Sequence, residues 1–361
     1  NQPPKQAESI RVVIENSGQG AVKFEKTWSS KSEAKAGMNA FFALLTTLVD
    51  PNERIDLVEI SIESTNGISL SLQEGKTLAV VGESGSGKTT AARLILGLDK
   101  PTAGSITVLG HEITNFGASQ MRPLRREIQV VQQDPFSQLN RRHTVRRIIE
   151  GPMLAFKVGD KKSREQRIVE LIEAVGLQRE HLSRKPHELS GGQCQRVAIA
   201  RALALDPKIL ILDEAVSALD VSVRAQVLNL LKKLQKDRGL TYLFITHDLG
   251  VAHYMADEIV VMFRGRIVER GTREEVFQAP RHHYTAGLLA SVPVADFSTS
   301  KIGSGVTEDV IAQATPVKND ACAYRSRCAV GKDKKDCADK ALTETMGSAS
   351  HGWICHFPIE R

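Results

Sequence analysis

The sequence predicts an α/β fold built around a phosphate-binding loop, and three stretches of the chain carry that prediction. The apolar run Thr77-Leu78-Ala79-Val80-Val81 leads directly into Gly82-Glu83-Ser84-Gly85-Ser86-Gly87-Lys88-Thr89 and then into Thr90-Ala91-Ala92-Arg93-Leu94-Ile95-Leu96. This is a strand, a glycine-rich turn and a helix start, the setting in which the pattern signifies nucleotide phosphate binding. A second apolar run, Lys208-Ile209-Leu210-Ile211-Leu212, ends in the acid pair Asp213-Glu214. Farther on, Val223, Val227, Leu230, Leu231 and Leu234 mark an amphipathic helix, and Thr241-Tyr242-Leu243-Phe244-Ile245 reads as another buried strand. Strand–helix–strand alternation of this kind predicts a parallel sheet covered on both faces.

The other elements follow from the same signals. Ile60-Ser61-Ile62, Ile68-Ser69-Leu70-Ser71-Leu72 and Ser105-Ile106-Thr107-Val108-Leu109 are predicted strands. Between Asp134 and Leu189 the period turns helical, with Ile168, Leu171, Ile172 and Val175 on one face. Ser163 with Gln166 fits a capping box, and Gly176 fits the helix stop. After Val292 the composition shifts to Ser, Thr, Gly, Asp and Lys, the mark of a linker, and a short cysteine-containing tail follows.

Length and composition narrow the class. A chain of 361 residues can bury a full α/β core and carry a second small module. The net charge of +6 is modest, and the arginines at 122, 125, 126, 141, 142, 146 and 147 read mainly as a solvated surface, so no nucleic acid is expected. The longest apolar stretch, Ala40–Val49, falls short of the roughly 20 residues needed to span a bilayer. The opening Asn1-Gln2-Pro3-Pro4-Lys5 is polar and carries no initiating Met, which suggests a processed or partial chain. The expectation is a soluble, intracellular protein that can dock on a membrane partner.

Three motifs carry chemistry. In the loop, Gly82, Gly85 and Gly87 let backbone N–H groups approach an anion, with Ser84, Ser86 and Thr90 adding polar contacts around them. Lys88 reaches the β- and γ-phosphates of a bound nucleotide, and the Thr89 hydroxyl suits Mg²⁺. Asp213 at a strand end also suits Mg²⁺, and Glu214 beside it is the natural general base. Leu189-Ser190-Gly191-Gly192-Gln193 opens a helical run to Ala204, a second anion-type turn that needs a different target.

Leu189–Gln193, together with the two preceding motifs, resembles the signature of the ATP-binding-cassette (ABC) ATPases. In that resemblance Gln133 stands at the Q-loop, Ser217-Ala218-Leu219-Asp220 at the D-loop, and His247 at the switch histidine. The family's fold is a mixed sheet with helices and an inserted helical subdomain. It implies two cassettes packed head to tail, with ATP between one chain's loop and the other's Ser190, Gly191, Gly192, Gln193 and Asp220. Gln133 joins Thr89 and Asp213 as a Mg²⁺ ligand, while Lys88, Gln133, Glu214 and His247 form the catalytic set. An aromatic residue normally stacks on adenine; Phe24 and Trp28 are the two candidates, with nothing to choose between them.

The segments Gln133–Asn140, Val216–Leu231 and His283–Leu289 look like the ATPase subunits of bacterial oligopeptide and dipeptide importers. Arg141 departs from the pattern where Pro is common, and Cys194 where Arg often follows the signature. The tail cysteines, Cys322, Cys328, Cys337 and Cys355, lie in a loop-rich segment without paired C-x-x-C knuckles, which points to metal before disulfides. The subgroup's tail implies a 4Fe–4S cluster on these four ligands; Zn²⁺ and free thiols stay open.

The expected domains are an extension over 1–59, an ABC ATPase over 60–292 with its helical subdomain at about 134–189, and a linker with a metal-binding tail over 293–361. The expected partners are a second cassette, two transmembrane permease subunits and an external substrate-binding protein, at the cytoplasmic face of the plasma membrane. Alternatives are a nickel or other small-solute importer of the same subgroup, a non-transport ABC protein acting on DNA or ribosomes, and a scaffold without turnover. The intact Glu214 and His247 argue against the last.

Overall fold

The computed structural model describes residues 68–291 and 321–360, together with the backbone of 60–63. All of them belong to one unit, Leu57–Arg361. Ala40–Val49, Phe24, Trp28 and the linker segment at 292–320 lie outside the described residues.

In chain order the strands are β1 (Ile60–Glu63), β2 (Thr77–Val81), β3 (Ser105–Val108), β4 (His111–Glu112), β5 (Ile128–Val131) and β6 (Ile209–Asp213). They continue with β7 (Thr241–Thr246), β8 (Glu258–Phe263), β9 (Arg266–Thr272), β10 (Thr345–Met346) and β11 (Gly352–Trp353). The helices are α1 (Lys88–Ile95), α2 (Ala118–Glu127), α3 (Pro135–Gln138), α4 (Val145–Ala155), α5 (Lys161–Ala174) and α6 (Gly191–Ala202). After them come α7 (Val221–Arg238), α8 (Leu249–Met255), α9 (Arg273–Gln278), α10 (His283–Ala290) and α11 (Lys335–Asp339).

Eight strands form one sheet in the order β10-β11-β9-β8-β2-β7-β6-β5. The five from β5 to β8 are parallel, and β9, β11 and β10 add an antiparallel edge. A second, three-stranded antiparallel sheet joins β1, β3 and β4. The period of two sorts the central strands between two cores. Ile209, Ile211, Leu243 and Ile245 pack with Ala91, Ala92 and Ile95 of α1. Leu210, Leu212, Tyr242 and Phe244 pack instead with Val197 and Ala198 of α6 and Val227 and Leu231 of α7. Each strand is buried on both faces, which is why it reads as an unbroken apolar run.

Two sequence expectations are corrected. Ile68–Leu72 alternates in burial as a strand would, with Leu70 and Leu72 inside, but it is not a strand and pairs only through an isolated bridge at Leu70. Side-chain alternation reports which way residues point; it says nothing of a ladder partner. Helix α5 begins at Lys161, not at a Ser163 cap: the Asp160 carboxylate accepts from the Ser163 amide at 2.7 Å. A carboxylate is the stronger acceptor for unpaired first-turn N–H groups, so it displaces the serine as cap. Gly176 does end this helix, at φ 71°, with its amide donating to the Glu173 carbonyl.

The tail extends the sheet. Gly352 and Trp353 pair with Arg270 and Glu269 of β9. Glu275 on α9 holds the adjoining turn, accepting from Ser348 Oγ at 2.7 Å and Ser350 Oγ at 2.8 Å as well as from the Thr272 amide at 2.9 Å. Desolvation pushes this carboxyl up, but the hydrogen bonds outweigh it and bring its pKa down to about 2. A carboxyl depressed on folding contributes stability above its unfolded pKa of about 4.5 and loses it as pH falls toward 2. Glu275→Gln should therefore flatten the acid limb of thermal stability between those two values, read by melting temperature against pH.

Candidate nucleotide-binding site

The carboxyl ends of the parallel strands form the crevice where ligands of such sheets bind. Val81 sits opposite Thr246, and Asp213 opposite Ile245, so the glycine-rich loop, the acid pair and His247 emerge side by side.

The loop is seated on the turn between β8 and β9. A Cβ on Gly82 would meet the Met262 carbonyl oxygen at 2.2 Å, and the Gly265 amide donates to the Ser86 carbonyl at 2.8 Å. Gly82, Gly85 and Gly87 have φ of 152°, 78° and 102°, which leave the loop wrapped around its own lysine. The Lys88 ammonium donates to the Gly82 and Glu83 carbonyls, both at 2.8 Å, and to Ser86 Oγ at 3.4 Å. Burial pushes this amine below the usual lysine range, against the pull of Glu214, Asp213 and Glu83. Ser86 is buried, while Ser84, Gly85, Thr89 and Thr90 are exposed along the rim where a polyphosphate would lie.

Thr89 Oγ1 donates to Asp213 Oδ1 at 3.2 Å. Burial raises the Asp213 carboxyl, Thr89 draws it back, and the neighbouring Glu214 raises it further. A carboxylate destabilised in this way, facing a hydroxyl, is a fitting donor pair for a hard cation such as Mg²⁺. Glu214 has a left-handed backbone, φ 49°, unusual for a residue with a side chain. Its amide donates to the Ile245 carbonyl at 2.9 Å, and the kink turns the carboxylate toward His247, whose Nδ1 lies 3.3 Å from Oε1. Such local strain is characteristic of functional positions.

Of the remaining motif residues, Ser217 of the D-loop touches this centre, its amide and hydroxyl both donating to the Glu214 carbonyl at 3.1 and 2.9 Å. Gln133 is exposed, two residues beyond β5. Asp220 is the N-cap position of α7. Arg224 of α7 donates to the Leu219 carbonyl at 3.3 Å and pairs with Asp248 at 2.8 Å, tying the D-loop to the residue after His247. The signature turn is a separate anion-type site at the start of α6. The Ser190 hydroxyl accepts from the Gln193 amide, and the Gln193 side chain accepts from the Ser190 amide, a reciprocal capping box. Gly191 lies against Phe136 and Leu219, and a Cβ on Gly192 would fall 2.3 Å from Val223 Cγ1.

Sequence reasoning missed two residues at the loop. Tyr284 Oη accepts from the Glu83 amide at 2.9 Å, and Arg327 pairs bidentately with the Glu83 carboxylate, both bonds 2.9 Å. A separation of 244 positions leaves no local signal for the second contact.

Cys322, Cys328, Cys337 and Cys355 line one small cavity together with His282, His283, Tyr324 and Gly331. Burial raises the thiols of Cys322, Cys337 and Cys355, the last to about 11. A Cβ on Gly331 would intrude 3.1 Å from Cys337 Sγ and 3.4 Å from Cys328 Sγ, so the bare glycine keeps this cradle open. Four sulfurs around one cavity suit a thiophilic centre in donor type and number. Their spacing does not complete one: no three His, Cys, Asp or Glu side chains among the described residues stand as a metal-holding group. Cys194 is apart from this set, buried on α6 with its thiol donating to the Pro186 carbonyl and its pKa raised to about 11 by burial.

A glycine-rich loop, an acid pair and a signature turn on such a sheet define an ATP-binding cassette. Residues 65–217 match the ABC transporter family, and 268–337 match the oligopeptide/dipeptide transporter C-terminal region. The oligopeptide transport ATP-binding protein AppF of Bacillus subtilis is 42% identical over 302 residues, covering 82% of this chain and 89% of AppF. The dipeptide transport ATP-binding protein DppF of Escherichia coli is 43% identical over 267 residues, 74% of this chain and 79% of DppF. Among solved structures, cbiO1 of the Clostridium perfringens cbiONQ transporter complex is similar at TM-score 0.56 and 29% identity, over 62% of this chain and 92% of that one. A dimeric ATP-binding cassette in a post-hydrolysis state with ADP and phosphate gives 0.53 and 30%, over 60% and 98%. The chain belongs to the ABC transporter ATP-binding family, and it is an ATPase coupled to transport.

The contact at Gly192 yields a test. Gly192→Ala should cost about 1–3 kcal/mol through overpacking against α7, and Val223→Ala in the same chain should recover most of it. Thermal unfolding of the two variants reads this directly.

Proposed function

We propose that this chain is the energising subunit of an importer for di- and oligopeptides. Its matched C-terminal region carries that reading, because the cassette alone is shared by transporters of many solutes. Two transmembrane permease subunits, a second cassette and an external binding protein complete the assembly, with this chain peripheral at the cytoplasmic face. No helix among the described residues is long and apolar enough to cross a membrane.

In hydrolysis, the loop amides and Lys88 hold the β- and γ-phosphates, with Ser86, Thr89 and Thr90 along the loop. Thr89, Asp213 and Gln133 would hold Mg²⁺, which neutralises phosphate charge when bound. Glu214 accepts a proton from the attacking water, whose oxygen bonds to the γ-phosphorus as the bond to the β-phosphate oxygen breaks. His247, beside Glu214, orients that water and the γ-phosphate. Ser190, Gly191, Gly192 and Gln193, with Asp220, reach the nucleotide of the partner cassette. The γ-phosphate then bridges two chains, and its loss releases them.

Glu214→Gln should keep ATP binding while turnover falls at least about 100-fold, the range expected for removal of a general base. Phosphate release and size-exclusion chromatography with ATP read both, and closed dimers should accumulate. Near-normal turnover would sink the assignment. Co-purification with permease subunits, and peptide uptake in vesicles that fails with this variant, would support the cargo; recovery with ribosomes or DNA in their place would overturn it.

The tail thiols of Cys322, Cys328, Cys337 and Cys355 would hold a 4Fe–4S cluster, a reading supported by four sulfur donors around one cavity with no carboxylate lining it. Anaerobically purified chain should show sulfur-to-iron charge-transfer absorption with iron and labile sulfide, lost in Cys337→Ser. Stoichiometric zinc without that absorption would replace iron by zinc.

A further inference from the structure

The cysteine tail reaches the nucleotide loop itself. Arg327 closes the short helical turn Arg325–Arg327, immediately before Cys328. Its guanidinium lies 5.6 Å from the Tyr324 ring centre and 5.9 Å from that of Phe263. Tyr324, Phe263 and Tyr284 pack on one another with centroids 4.6 to 5.4 Å apart. From this aromatic seat both guanidinium arms reach the Glu83 carboxylate at 2.9 Å. A planar, two-bond pair fixes orientation as well as distance, which a single lysine contact would not.

Glu83 is therefore gripped twice by the C-terminal part of the chain: its amide by the Tyr284 hydroxyl, its carboxylate by Arg327. Its carbonyl, in turn, accepts from the Lys88 ammonium at 2.8 Å. A continuous line of bonds runs from the tail through one residue of the loop to the amine that meets phosphate.

We propose that Arg327 is a positioning residue for nucleotide binding, setting the glycine-rich loop and Lys88 through its bidentate grip on Glu83. The tail is then part of the ATP site's support, and whatever loosens the turn beside Cys328 weakens the grip on ATP. The inference rests on the assignment of the loop to ATP, and it stands whether or not the cysteines hold metal.

The test is steady-state ATP hydrolysis and ATP binding by the full chain in its assembled complex. Arg327→Ala should raise KM for ATP about fivefold, the effect of losing one good ion pair, with kcat within about twofold of the parent. Glu83→Gln should raise KM similarly, and the double variant should be no worse than the poorer single. Arg327→Lys should recover only part of the loss, since it restores charge but not the fork. The exchange Arg327→Glu with Glu83→Arg should lower KM from that of Arg327→Glu alone. An unchanged KM in Arg327→Ala, or fully additive effects of the two single changes, would overturn the proposal. Lys88→Ala is the control: if it binds and hydrolyses ATP like the parent, the loop assignment fails; if it loses both while Arg327→Ala is unaltered, only the grip fails.

Discussion

The close main-chain approach between Gly82 and Met262 is the constraint on which the rest of this structure depends. A side chain at 82 has no room, because its first carbon would fall 2.2 Å from a backbone carbonyl oxygen of β8. The loop is thereby pressed onto the β8–β9 turn and tied there by the Gly265 amide. Since β8 lies directly beside β2, the strand that delivers the loop, the loop and its support come from adjacent strands. The loop is supported by the sheet's carboxyl edge, and its geometry is that of rigid elements more than of a free turn.

The same hairpin carries that rigidity outward. Glu269 in β9 is fully buried, a costly position for a carboxylate unless every lone pair is used. Its oxygens accept from the Arg281 amide at 2.7 Å and the His282 amide at 2.9 Å, and His351 Nε2 stands 2.9 Å away. One charge thus joins β9, the approach to α10 and the tail. Removing any single donor would leave a buried carboxylate short of a partner, so all three segments contribute to holding it. Helix α10 supplies Tyr284, and the tail supplies Arg327, so this hub lies behind both contacts to Glu83.

The centre of the site was legible in the sequence because its parts are local. The loop, the acid pair and the signature turn are each a short run whose residue types have one main use, and His247 and Asp220 gained meaning from their order along the chain. The strands Ile209–Asp213 and Thr241–Thr246 were legible because burial on both faces leaves an apolar run. Long-range pairing was not legible. Strands β10 and β11 have two residues each, too few to show a period; β10 pairs with β11, and β11 with β9, which joins the tail to the cassette. The tail cysteines were recognisable as a set, yet nothing in their spacing said that the residue before Cys328 would meet the nucleotide loop. The start of α5 was misread for a smaller reason: Asp160 and Ser163 are both good caps, and only the structure shows which one accepts.

Charge balance decides how the centre is used. Lys88 faces Glu83, Asp213 and Glu214, so one ammonium stands among three carboxyl groups in a partly desolvated crevice. An anionic polyphosphate entering alone would meet net repulsion from these acids; entering with a divalent cation, it meets a site already short of positive charge. The arrangement therefore favours the metal complex of a nucleotide over the free nucleotide, by the ordinary Coulomb argument. Arg327 bears on the same balance. By pairing with Glu83 it offsets the charge of one of the three acids around Lys88, while Asp213 and Glu214 keep their contacts with Thr89 and His247.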